Sequence, residues 1–218
     1  MKLAERQARF DQLQLAMRAC RQCLAAGYYI EPPAVTHGSV RARMMTVGQA
    51  PGVTEVVAKR PFNAGSGKRL FQWLGEAGID EDWFRRTQYM TSVTKCFPGK
   101  NKSGGGDRAP SPAEQQLCRP FLEQELALVR PKLIIPIGKM AIETFYGRGI
   151  VLEAVIGTEM EKDGVWYVPL PHPSGASRWH QIAENRVRIQ QAIGLIAAQY
   201  ARLFPKRNHP QMNTDGHG

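Results

Sequence analysis

Short apolar runs alternate with helical patterns along most of this chain, and this alternation restricts the fold more than any other feature. Strands separated by helices usually pair in parallel, and the helices then cover both faces of the sheet. The sequence therefore predicts an α/β fold. The predicted strands cover residues 43–48, 88–94, 132–138 and 165–170, and the predicted helices cover residues 2–19, 66–78, 111–130, 139–146 and 180–203.

The chain has 218 residues, of which 43% are hydrophobic, and this suits one domain with a sizeable core. We expect a single domain over residues 1–204, followed by a polar, disordered tail over residues 205–218. No apolar run reaches the roughly 20 residues that span a bilayer, and the amphipathic N-terminus lacks the apolar core of a secretory signal. A cytoplasmic monomer is therefore the default expectation, with no membrane partner.

The chain is strongly basic, with a formal net charge of +10 and a pI of about 9.7. A surplus of this size favours an anionic partner, with nucleic acid ahead of a membrane surface. Charge alone leaves open a basic protein that has no such partner.

Four cysteines, Cys20, Cys23, Cys96 and Cys118, are the only thiols in the sequence. In a reducing compartment, metal ligands or free thiols are more common than disulfides. A C-x2-C pair with two further cysteines suits a 4Fe–4S cluster or a zinc ion, and counting ligands does not separate the two. Buried free thiols and a redox pair also fit the spacing.

Three segments follow predicted strands, at residues 48–52 (GQAPG), 92–97 and 172–178. Ligands of parallel α/β sheets bind beyond the carboxyl ends of the strands, so the topology should bring these segments together. Each is a weak signal alone, because a glycine-rich turn or a histidine in a rigid loop is often only structural. Phe62 could likewise stack on a base or simply join the core.

Taken in order, these motifs resemble those of the uracil-DNA glycosylase superfamily, and most closely its iron–sulfur branch, known as family 4. The resemblance covers roughly residues 15–200. It rests on the C-x2-C pair, GQAPG at 48–52, RPF at 60–62, TSVTKC at 91–96, CRP at 118–120, PKLIIPIG at 131–138 and HPS at 172–174.

The resemblance implies a three-layer α/β/α sandwich around a central four-stranded parallel sheet, with a structural 4Fe–4S cluster on the four cysteines. It also implies a hydrolase that flips uracil, or another deaminated base, out of DNA and cleaves the N-glycosidic bond. His172, Gln49 and Glu55 are the implied catalytic residues, with His172 donating a hydrogen bond to uracil O2. The implied base-binding residues are Gly48, Gln49, Ala50, Phe62, Ser92 and His172, and the implied DNA-binding residues are Lys68, Lys95, Ser174 and Arg178.

Three departures from the family pattern bear on function. Gln49 replaces a motif glutamate, although Glu55 remains as an acid nearby. Ser92 replaces the asparagine that reads uracil, and a single hydroxyl is too short to bond both N3–H and O4; we therefore expect weaker or broader base specificity. An insert around residues 102–108 lacks the histidine that a related branch uses for cross-linking, so covalent capture is not expected.

Three other functions stay open at this point. A catalytically silent binder of DNA lesions fits the substitutions at Gln49 and Ser92, although the retained His172 argues against it. An iron–sulfur redox sensor would need an accessible or labile cluster. A zinc-stabilised module would contain no iron.

Overall fold

The computed structural model describes residues 1–102, 104–175 and 177–205. The predicted tail, apart from its first residue, lies outside the described residues. In the part described, no helix is long and apolar enough to cross a membrane.

Six strands form one mixed sheet within the described residues. They are β1 (His37–Gly38), β2 (Met44–Gly48), β3 (Tyr89–Ser92), β4 (Leu133–Pro136), β5 (Met160–Lys162) and β6 (Val165–Tyr167), in the spatial order β1-β3-β2-β4-β6-β5. The four predicted strands correspond to β2, β3, β4 and β6, which are mutually parallel where they pair.

The expectation of a four-stranded sheet is wrong in its count, because short antiparallel strands extend both edges. β5 and β6 form a hairpin whose turn residues, Asp163 and Gly164, have φ values of 54° and 73°. Positive φ at both positions is typical of a type I′ turn, and Asp-Gly is its usual sequence. At the other edge β1 pairs with β3. It has only two residues, which are too few to show an alternating hydrophobic pattern in the sequence.

All five predicted helices are present, within a few residues of their expected bounds. The helices are α1 (Leu3–Ala19), α2 (Gln22–Ala25), α3 (Val53–Ala58), α4 (Gly65–Glu76), α5 (Glu81–Thr87), α6 (Pro112–Val129), α7 (Lys139–Tyr146), α8 (Leu152–Val155) and α9 (Ala183–Leu203), with a 3-10 turn at Trp179–Gln181 before α9. At the start of α6, Ser111 and Glu114 cap each other's backbone N–H groups, which is the arrangement of a capping box.

Hydrophobic cores lie on both faces of the sheet. Met44 of β2 joins one core with α4 and α9, whereas its neighbour Met45 joins the other with α1 and α6. Successive strand residues point to opposite faces, so a strand buried on both sides contributes to both cores. The three-layer α/β/α arrangement is therefore confirmed.

Candidate active site

A cleft of about 450 Å³ opens at the carboxyl ends of the parallel strands. It brings together the loop after β2, the end of β3 and the loop after β6, as the topology predicts. Its lining includes Gly48, Gln49, Ala50, Pro51, Glu55, Pro61, Phe62, Ser66, Thr91, Ser92, Ile137, His172 and Pro173. The predicted base-binding residues therefore all lie at one cleft.

Phe62 forms one wall of the cleft in an unusual backbone conformation. Its φ is 52°, in the left-handed region that costs a non-glycine residue about 1–2 kcal/mol. Two side chains hold the peptide there. The Glu55 carboxylate accepts the Phe62 N–H, and Arg85 donates to the carbonyls of Phe62 and Pro61 at 2.8 and 2.9 Å. These contacts fix the Phe62 backbone, and with it the position from which the ring enters the cleft.

Two glycines make room for Phe62. An added Cβ on Gly67 would lie 1.8 Å from the Phe62 carbonyl oxygen, and one on Gly48 would lie 3.2 Å from the ring carbon Cζ. Gly67 therefore has to lack a side chain, and Gly48 lets the ring approach the end of β2. Neither Gly67 nor Arg85 was singled out from sequence, because neither contact follows from the periodicity of a helix or a strand.

Glu55 ties two walls of the cleft together. Its carboxylate accepts the N–H groups of Gly52 and Phe62, so it is more than a solvated helix residue. Burial raises its pKa, the two backbone hydrogen bonds oppose that shift, and nearby Asp107 adds to it.

His172 is held by its own loop. Its Nδ1 lies 3.2 Å from the Ser174 backbone nitrogen and 2.9 Å from the Ser174 hydroxyl oxygen. A backbone N–H only donates, so Nδ1 is the acceptor and the neutral ring carries its proton on Nε2. Burial, and then the charge of His180, lowers the pKa of His172. The ring is therefore a neutral donor near pH 7.

Ser92 and Gln49 lie at the cleft on neighbouring segments, Ser92 at the end of β3 and Gln49 just after β2. The Ser92 hydroxyl donates to the Thr94 carbonyl at 2.6 Å. Gln49 is half-buried, and its side-chain amide has no hydrogen-bond partner among the described residues. Its backbone carbonyl accepts the Thr94 N–H at 3.2 Å. An amide in this state has both a donor and an acceptor available for a ligand.

Lys95 does not face DNA, and this corrects its predicted role. The side chain is 2% exposed, and its Nζ lies 2.6 Å from a carboxylate oxygen of the fully buried Glu125. The same ammonium donates to the Thr91 hydroxyl and to the Ser92 carbonyl. A cation committed to a buried pair cannot reach a phosphate, so Lys95 instead supports the end of β3.

The other predicted DNA-binding residues differ in their surroundings. Lys68 and Arg178 are exposed, and neither side chain has a partner among the residues described, so both are available to an anion. Ser174 is half-buried, and its hydroxyl contacts His172. The structure thus gives Ser174 a contact that orients the histidine, which its position in the sequence did not reveal.

The four cysteines surround a second cavity of about 400 Å³, lined mainly by apolar side chains such as Met17, Ile30 and Phe121. Burial, and then the nearby Cys118 sulfur, raises the pKa of Cys23 to about 11 and that of Cys96 to about 12.

In the described part of the chain, no three metal-binding side chains lie close enough to hold a single ion. The four cysteines do share one cavity, and a set of four thiols of this kind suits either a 4Fe–4S cluster or a zinc ion.

Comparisons with known proteins agree with this architecture. The chain is 28% identical over 203 residues to a type-4 uracil-DNA glycosylase of Thermotoga maritima, covering 91% of this chain and 97% of that one. It is 30% identical over 139 residues to a type-4 uracil-DNA glycosylase of Archaeoglobus fulgidus, covering 62% and 63% of the two chains. The family model of the uracil DNA glycosylase superfamily matches residues 35–193. Because this match spans more than half of the 218 residues, the chain belongs to the uracil DNA glycosylase superfamily.

Proposed function

We propose that this protein excises uracil from DNA by hydrolysing the N-glycosidic bond, leaving free uracil and an abasic site. The observation that carries the proposal is the cleft itself, where a fixed aromatic ring and an oriented neutral histidine meet at the carboxyl ends of parallel strands. Membership of the superfamily and the likeness to type-4 uracil-DNA glycosylases support the same activity.

Phe62 provides the platform for an extruded base. An enzyme reaches a base inside a duplex only by flipping it out, and stacking on an aromatic ring offsets part of the unstacking energy. Stacking on an aromatic side chain contributes about 1–3 kcal/mol per base. Because Glu55 and Arg85 already hold the Phe62 backbone, little further ordering accompanies binding.

His172 stabilises the departing base. As the N-glycosidic bond breaks, negative charge builds on the base carbonyl oxygens, and the sugar becomes oxocarbenium-like. The Nε2–H of a neutral imidazole donates to O2 without first losing or gaining a proton. A preorganised donor of this kind contributes about 3–4 kcal/mol.

The loop after β2 and the first turn of α3 complete the chemistry. Backbone N–H groups near Gln49 bind a base carbonyl, while the side-chain amide of Gln49 holds the water that adds to the sugar. Glu55, whose pKa is raised by burial, assists this water through the lone pairs that its backbone contacts leave free.

DNA binds across the mouth of the cleft. Lys68 and Arg178 are the exposed cations that neutralise phosphates, and their contribution falls as the salt concentration rises. Ser174 lies beside His172 and contacts the phosphate next to the flipped nucleotide. The protein works as a monomer in this proposal.

Cys20, Cys23, Cys96 and Cys118 hold a 4Fe–4S cluster. The set of four thiols, the apolar cavity that they share and the likeness to type-4 uracil-DNA glycosylases support this assignment. When bound, the cluster joins the N-terminal segment to the segment after β3 and to α6, and so braces the loops beside the cleft. Iron and acid-labile sulfide near four per chain are expected, whereas zinc alone would contradict the assignment.

An excision panel tests the activity. Uracil, thymine, hypoxanthine and xanthine are each placed in single- and double-stranded DNA, and abasic sites are revealed by alkaline cleavage. We expect uracil to be released and His172→Ala to lower the rate about 10²–10³-fold. Binding to uracil-containing DNA without any abasic sites would instead identify a silent lesion binder.

A further inference from the structure

The Ser92 hydroxyl at the cleft has a fixed polarity. It lies 2.6 Å from the carbonyl oxygen of Thr94, and a carbonyl oxygen has no proton, so the hydroxyl must be the donor in this contact. A serine hydroxyl has one hydrogen and two lone pairs. With its hydrogen committed to Thr94, Ser92 offers a ligand only acceptor capacity.

Three backbone contacts keep this arrangement in place. The N–H groups of Val93 and Thr94 donate to the carbonyls of Gly48 and Gln49 at 2.9 and 3.2 Å, which fastens the turn after β3 to the loop after β2. The Ser92 carbonyl accepts from the buried Lys95 ammonium. Ser92 itself is 5% exposed, so water has little access with which to satisfy an orphaned acceptor or to let the hydroxyl rotate.

We propose that Ser92 is a specificity-determining residue that selects nucleobases presenting a ring N–H, and that it rejects bases presenting a ring lone pair at the same place. This inference rests on the proposed glycosylase function and deepens it. Uracil, thymine and hypoxanthine all carry a ring N–H beside a carbonyl, and each satisfies the Ser92 oxygen. Cytosine and adenine direct a lone pair there, and two acceptors then face each other in a nearly dry site.

This selection by the Ser92 hydroxyl differs from recognition of the base by an asparagine side chain. A side-chain amide both accepts and donates, and so it also tests the neighbouring carbonyl. An acceptor-only hydroxyl tests the ring N–H alone. The expected substrate class is therefore deaminated or other lactam bases in general, with uracil separated from cytosine by the ring position rather than by the exocyclic group.

The test compares uracil with 3-deazauracil, a 4-hydroxy-2-pyridone in which a C–H replaces the N3–H and a hydroxyl replaces the O4 carbonyl. Single-turnover excision rates are measured on matched duplexes for the wild type and for Ser92→Ala. The change in the rate ratio between the two proteins cancels the intrinsic reactivity of each base. The ratio is the rate for uracil divided by the rate for 3-deazauracil, and we expect it to fall at least about tenfold in Ser92→Ala. In that variant the serine oxygen is gone, so the N–H that 3-deazauracil lacks leaves no buried acceptor unsatisfied.

Two further variants fix the interpretation. Thr158→Ala removes a similar hydroxyl-to-carbonyl hydrogen bond on an exposed loop and should keep the wild-type ratio. Ser92→Asn retains an acceptor and should keep discrimination against 3-deazauracil, which covers the case in which Ser92→Ala does not fold. An unchanged ratio in folded Ser92→Ala, or lost discrimination in Ser92→Asn, overturns the inference. A wild type that releases no uracil overturns the proposed function instead.

Discussion

Substitution of Gly67 by alanine tests whether the fixed position of Phe62 controls activity. Alanine normally stabilises a helix relative to glycine by about 0.5–1 kcal/mol, so helix propensity alone predicts a more stable protein. In this structure the new Cβ would lie 1.8 Å from the Phe62 carbonyl oxygen and 2.4 Å from its carbonyl carbon. Contacts below 3.0 Å essentially never occur, so the Phe62 peptide must retreat by about 1 Å.

The retreat opposes contacts that hold Phe62 in place. The same carbonyl accepts from Arg85 at 2.8 Å, and a hydrogen bond to a charged group contributes about 1.5–3 kcal/mol. Forcing atoms into a packed site adds about 1–3 kcal/mol. We therefore expect Gly67→Ala to lower the free energy of unfolding by about 2–5 kcal/mol. A misplacement of about 1 Å at the stacking ring should slow excision about 10²-fold.

Gly75→Ala provides a matched control in the same helix, α4, because nothing lies within 4 Å of its added Cβ. Urea unfolding and single-turnover excision of uracil are measured for both variants. Gly75→Ala should be slightly stabilised and fully active. If Gly67→Ala matched it in both stability and rate, the reasoning about Phe62 would be refuted.

Three further predictions concern charged groups. Burial lowers the pKa of His172 below its usual 6.5, so at mildly acidic pH the unfolded chain binds more protons than the folded one, and the free energy of unfolding falls as the pH drops below about 6.5. Urea unfolding at several pH values should show a shallower fall in His172→Asn, and an identical dependence of the unfolding free energy on pH would contradict this. Lys95→Met leaves the Glu125 carboxylate buried and unpaired, and it should cost about 3–5 kcal/mol of unfolding free energy; a loss below 1 kcal/mol would argue against the pair. Lys68→Ala should weaken DNA binding and reduce the slope of log K against log salt by about 1, while leaving stability unchanged; an unaltered slope would exclude a phosphate contact.

Periodicity predicted the helices and strands well because it acts over short distances in sequence, and the rules for parallel sheets then predicted how these elements are arranged. The four parallel strands, five helices and the meeting of three loops follow from alternation, capping and the geometry of parallel sheets. The hairpin at Asp163 and Gly164 carried an adequate local signal that the strand assignment did not use. The role of Lys95 was wrong because a lysine pairing with Glu125, 30 residues along the chain, leaves no local pattern.

The cleft combines features that sequence could and could not predict. Gln49 and Ser92 stand at positions where the family pattern has a glutamate and an asparagine. Taken separately, each substitution would suggest a loss of function. In the structure the Gln49 amide has no partner among the described residues and faces the cleft, while Ser92 keeps an acceptor whose polarity Thr94 fixes. A donor and an acceptor are therefore both available beside Phe62 and His172. The Ser92 oxygen can therefore accept from a ring N–H while the Gln49 amide holds water, so the two substitutions leave the cleft with a polar group for the base and a polar group for the water.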